Sequence, residues 1–178
     1  MVQAPDHILV VDPESGLRHL VQEELVEGLA LPFETCSSSD LASNAGIAVG
    51  ALVACPVRVL AEVALMLPKD RPPVPITYSV ADNLVEVLQN LQEPSVIALV
   101  SVSHDVIETA RGLLAPVIGQ RHTIFGLVLP LKGPNDLDGA DLIFCDSIAR
   151  RQLKVGKSIH YRLVSSTSLE LLSQSMKY

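Results

Sequence analysis

Two rhythms alternate along this chain. Short unbroken apolar runs recur, and each is followed by a stretch with apolar residues at three- and four-residue spacing. The first run is His7–Val11, where Ile8, Leu9, Val10 and Val11 predict a buried strand. Asp12, Pro13 and Glu14 stop it. A helix is predicted from Ser15, with Leu17, Leu20, Val21 and Leu25 on one face and Gly28 as its stop. The same pattern predicts strands at Leu31–Thr35, Ala51–Ala54, Val74–Tyr78, Ser95–Val102, Thr123–Leu129, Asp141–Cys145 and Ile159–Val164. Helices are expected over Leu41–Ala45, from Pro56, from Ser79 through Leu91, after Ser103, over Ile148–Leu153, and from a capping box at Thr167–Glu170.

Strand and helix alternate strictly, which implies parallel pairing with right-handed crossovers. The fold class is α/β, with parallel sheet or sheets and helices on both faces. One large sheet and two small Rossmann-like lobes both satisfy the pattern. Two lobes are the favoured reading, 5–79 and 80–178, meeting near Ser79–Pro94. The turn-rich stretch Pro68–Pro75 precedes the linking helix there.

Composition narrows the function classes. Of 178 residues, 48% are hydrophobic and only 3% aromatic, with no Trp, so the core is built from Val, Leu, Ile and Ala. The formal net charge of −7 makes the segment itself a poor binder of a phosphate backbone. The three cysteines, Cys36, Cys55 and Cys145, are widely spaced and form no Cys-x-x-Cys, so reduced thiols are expected rather than a disulfide framework or a metal site. No apolar run has the length of a membrane span, and Met1–His7 lacks the features of a signal peptide. A cytoplasmic protein with no membrane partner is expected.

Ligands of open α/β sheets bind outside the carboxyl ends of the strands. Here those ends carry small hydroxyl residues at helix starts, where free N–H groups attract polar or anionic molecules. The same residues serve as ordinary caps in any α/β protein. Tyr78, His104 and Asp146 add functional heads at three separate ends. The candidate ligand contacts are therefore Tyr78, Ser79, Ser101, Ser103, His104, Asp146 and Ser147. No catalytic residue, metal site or cofactor is expected: glycine-rich phosphate loops, a nucleophile elbow and a His-Glu-x-x-His motif are all missing from the sequence. The protein is read as a non-enzyme.

Two resemblances bear on function. His7–Arg18 resembles the first strand, acidic loop and first helix of a response-regulator receiver. The third strand, Ala51–Cys55, has no Asp to accept phosphate, and the family's downstream Lys is missing after Ile97–Ser101. The chain as a whole resembles the C-terminal effector domain of GntR-type bacterial transcription regulators. Ser95–Ser103, Glu108–Leu114, Ala140–Ser147 and Tyr161–Ser165 carry that resemblance. It implies a periplasmic-binding-protein-like sensor for a small polar or anionic effector, expected to act as a homodimer. DNA would be reached only through an N-terminal winged helix that this chain lacks. Two other classes compete with this reading. Cys55 and Cys145 loosely echo the paired thiols of two-lobed amino-acid racemases, which abstract and return a proton from opposite sides. A ligand-free dimerisation or pseudo-receiver module is the third reading.

Overall fold

A computed structural model describes residues 4–177 of the chain; the first three residues of Met1–His7 lie outside them. The fold is α/β, with two four-stranded, all-parallel sheets and seven α-helices among the described residues. The chain divides into two compact units. One takes the chain up to Tyr78 together with the segment from Val164 onward, and the other is Ser79–Leu163. No helix among the described residues is long and apolar enough to cross a membrane.

In the first unit the order of elements is β1 (His7–Val11), α1 (Ser15–Gly28), β2 (Phe33–Cys36), α2 (Ser38–Ser43), β3 (Ala51–Pro56), α3 (Leu60–Met66) and β4 (Val74–Ile76). The strands lie in the order β2-β1-β3-β4. Side chains on a strand alternate between faces, so an all-apolar strand must be covered on both. β1 meets this condition. Leu9 and Val11 pack with Leu41 of α2 and Val63 of α3 on one face. Ile8 and Val10 pack with Val21 and Leu25 of α1 on the other.

That second face is completed by the end of the chain. The sequence pattern groups the C-terminal helix with the second lobe; in the structure Val164 instead forms an antiparallel bridge with Tyr78. α7 (Ser166–Ser175) then packs on β4. Val164 and Leu172 join Ile8, Val10 and Ile76 in one apolar cluster. The buried Glu24 carboxylate on α1 accepts the Val164 N–H at 2.8 Å, fixing the returning chain. Periodicity registers an apolar face but not which sheet it covers, so this return was not readable.

The second unit runs α4 (Asp82–Gln89), β5 (Val96–Ser101), α5 (His104–Ile118), β6 (Thr123–Val128), β7 (Leu142–Cys145), α6 (Ser147–Gln152) and β8 (Ser158–His160). Its order, β6-β5-β7-β8, repeats the winding of the first sheet. Ala98, Val100, Ile143 and Cys145 face Ala149 and Leu153 of α6. α5 packs on β5 and β6. Its approach to β6 depends on Gly126: a Cβ there would lie 2.5 Å from Ile107 Cγ2.

Helix starts account for most departures from the sequence reading. Pro56 ends β3 rather than opening a helix; a short 3-10 turn, Val57–Val59, precedes α3. Ser79 does not cap α4. Its N–H donates to the Leu163 carbonyl at 2.9 Å, and α4 begins three residues later with Ala81 at its N-cap. The last helix is capped by Ser165, whose hydroxyl accepts the Ser168 N–H at 3.2 Å, and not by a box at Thr167–Glu170.

Candidate functional site

In each sheet the chain moves first to one side of its starting strand and then to the other. Helices therefore leave two neighbouring strand ends from opposite faces, and a crevice opens between them. In the first unit these ends belong to β1 and β3; in the second, to β5 and β7. An aspartate stands at each crevice, and the two are satisfied differently.

Asp12 follows β1 and is fully buried. Its Oδ1 accepts the Glu14 N–H at 2.8 Å and Arg58 Nη2 at 2.5 Å. Tyr78 Oη donates toward Oδ2 at 3.4 Å. Arg18 Nη1 donates to the Asp12 carbonyl at 2.5 Å. Burial, and then the Asp12 charge, push the Tyr78 phenol far above its ordinary range, so it stays a neutral donor. The first crevice is thus filled by its own charge network. The acidic turn after β1 supplies Asp12 to an internal ion pair with Arg58.

Asp146 follows β7 and is also fully buried. Its Oδ1 caps α6, accepting the Ile148 and Ala149 N–H groups at 2.9 and 2.8 Å. Oδ2 has no hydrogen-bond partner among the described residues. A buried carboxylate oxygen without a donor costs on the order of 1–3 kcal/mol, and such atoms are rare enough to need a reason.

The neighbouring strand end supplies more polar atoms. Val100 and Cys145 are register partners, so Ser101 and Asp146 end adjacent strands. Ser101 is fully buried, and its Oγ accepts the Ser103 N–H at 3.2 Å. Ser103 stands at the N-cap of α5, but its side chain makes no capping bond. His104 is exposed on the first turn of the same helix. Next to Asp146, Ser147 Oγ lies 3.0 Å from His160 Nε2 at the end of β8.

The seven sequence candidates therefore separate. Ser101, Ser103, His104, Asp146 and Ser147 stand at the β5 and β7 ends of the second unit. Ser79 belongs to that unit but is paired to Leu163, beside a space of only about 10 Å³ lined by Ala110 and Leu114. Tyr78 belongs to the first unit, at Asp12. Two partners escaped the sequence reading. Arg58 carries no signal without the β1–β3 pairing, and His160 becomes visible only once β8 is placed beside β7.

The arrangement limits the chemistry. Ser147 with His160 has the spacing of a nucleophile and its base. However, the helix-start amide of Ile148, which would have to stabilise an oxyanion, is already held by Asp146. Cys55 and Cys145 are fully buried at the ends of β3 and β7. Burial, aided by Asp12, pushes the Cys55 thiol up to about 12, and burial raises Cys145 as well. Proton abstraction near neutral pH needs the opposite shift. A recess of about 790 Å³ lies in the first unit at the amino ends of β3 and β4, and none of the seven candidates lines it.

Comparison with protein-family models, curated proteins and solved structures returns no match.

Proposed function

We propose that this chain is the effector-binding domain of a transcription regulator, and that its second unit binds a small polar molecule at the β5–β7 strand ends. The observation that supports this reading is the buried Asp146 Oδ2, which lacks a donor beside the buried hydroxyl of Ser101. An acceptor oxygen selects for hydrogen-bond donors, so an amine, amide or polyol suits this position better than an anion. The long helix α5 starts at the same crevice with Ser103 and His104, and its N-terminal amides add a second polar wall.

The regulatory half of the proposal draws on the GntR-type resemblance and on the winding of both units, a fold-level analogy. A ligand bridging two strand ends favours one arrangement of the helices leaving them. A tethered DNA-binding domain would sense that shift through its differential affinity for the two states. The chain binds its effector without transforming it; the buried, proton-holding thiols support that side against the two-thiol racemase. A homodimer in the cytoplasm goes with this reading: the GntR-type resemblance implies two copies, and the three cysteines are free thiols.

Thermal melting against single metabolites bearing amino, hydroxyl or amide donors tests the proposal. At a concentration of about 100 times Kd a true effector adds about 2.7 kcal/mol, or roughly 5–10 °C for a chain of this size. The gain should vanish in Ser101→Ala. No shift across such a panel, or a shift that survives in Ser101→Ala, overturns the assignment.

A further inference from the structure

The geometry points to a second and chemically different site: the recess at the amino end of the first unit's sheet takes a small carboxylic acid with an aliphatic body. Its volume, about 790 Å³, lies within the range of small-molecule pockets. Among the described residues Val49, Met66, Leu67 and Val74 line it, and no aromatic side chain does. Such walls suit a flexible aliphatic chain better than a planar ring, and Met66 adapts readily to irregular shapes. Val49 is 77% exposed, an apolar side chain that an occupant would take out of water.

Among the described residues the lining holds three polar ones, Asp70, Arg71 and Ser175. The Ser175 hydroxyl donates to the Leu171 carbonyl at 2.8 Å, so its proton is already used. Arg71 is the single cationic residue of the lining, and its guanidinium enters none of the ion pairs among the described residues. The Arg71 N–H donates to the Pro68 carbonyl at 3.0 Å, and this turn holds the residue at the lining. A guanidinium beside an apolar recess matches a carboxylate head on an apolar body. Asp70 carries the same sign as such a head and opposes it, which gives the two neighbours opposite and measurable effects.

Isothermal titration with octanoate, decanoate and dodecanoate tests the assignment. Each two-carbon step should tighten binding roughly tenfold to fifteenfold, and decylamine should bind about tenfold more weakly than decanoate. Arg71→Gln should weaken decanoate binding about threefold to tenfold, and Asp70→Asn should tighten it about twofold. Methyl resonances of Val49, Met66, Leu67 and Val74 should move on titration, while Ser101 and Ser147 should not. The inference fails if dodecanoate does not bind, if decylamine binds as well as decanoate, or if those methyls stay still. It also fails if sedimentation shows a second copy of the chain covering the same methyls. Because the readouts lie in the first unit, failure here leaves the proposal for the second unit untouched.

Discussion

Replacing each crevice aspartate with serine should change stability in opposite directions. At Asp146, Oδ1 caps α6 through two N–H groups, while Oδ2 is buried with no donor among the described residues. Serine is itself a good N-cap and should retain most of the ~1 kcal/mol that the cap supplies. Removing Oδ2 recovers the ~1–3 kcal/mol spent on its lost hydration. The smaller side chain leaves a little empty volume, about 0.5 kcal/mol. Asp146→Ser should therefore stabilise the protein by roughly 0.5–2 kcal/mol. At Asp12 both oxygens are engaged. Breaking a buried ion pair costs about 3–5 kcal/mol. Arg58 is 41% exposed and can turn to solvent, which lowers the loss at Asp12→Ser to roughly 2–3 kcal/mol. Urea unfolding followed by far-ultraviolet circular dichroism and by tyrosine fluorescence reads both variants. An Asp146→Ser protein less stable than the parent by more than about 1 kcal/mol would refute the reasoning, because Oδ2 would then have to be satisfied.

The thiols and two glycines give further tests. Cys36, Cys55 and Cys145 are buried and burial raises the pKa of each thiol, so all three should resist a disulfide reagent at pH 8 in the folded protein and react in urea; fast labelling of any in the native state contradicts this. The folded state holds the Cys55 proton to about pH 12, whereas an unfolded thiol loses it near 9. Its contribution is therefore complete below pH 9 and declines as pH rises toward 12, by at most ~1.4 kcal/mol per pH unit. Cys55→Ala should flatten the alkaline limb of a stability–pH curve, and an unchanged limb would count against it. Gly126→Ala should cost about 1–3 kcal/mol, since its Cβ meets the β-branched Ile107 at 2.5 Å. Gly112→Ala on α5 meets nothing within 4 Å and should gain about 0.5–1 kcal/mol. Equal effects of the two substitutions in urea unfolding would show that the α5–β6 approach is not as close as described.

Much of the fold was legible because burial on both faces forces strands into unbroken apolar runs. β1 and β5 stand almost where His7–Val11 and Ser95–Val102 place them. Helix starts were harder. Serines are abundant, and which one caps depends on where the backbone turns: Ser165 caps α7, while Ser79 pairs with Leu163. The return of Val164–Ser175 to the first sheet rests on tertiary bonds to Glu24 and Thr77 and on Leu172, none of which has a local signature. Among the candidate contacts, residues at β5 and β7 were found by reading strand ends. Arg58 and His160 were missed because their partners, Asp12 and Ser147, are neighbours only through sheet order. The apolar recess escaped for a similar reason: its walls come from the segments before β3 and β4 and from the last turn of α7.

The central claim is that a polar ligand engages the β5–β7 strand ends of the second unit. Backbone amide shifts recorded while an effector found by melting is titrated to saturation test it most directly. Ser101, Ser103, Asp146 and Ser147 should move together and along one saturating curve. If those four amides keep their positions at full occupancy while signals elsewhere shift, the ligand binds somewhere else and the account is contradicted.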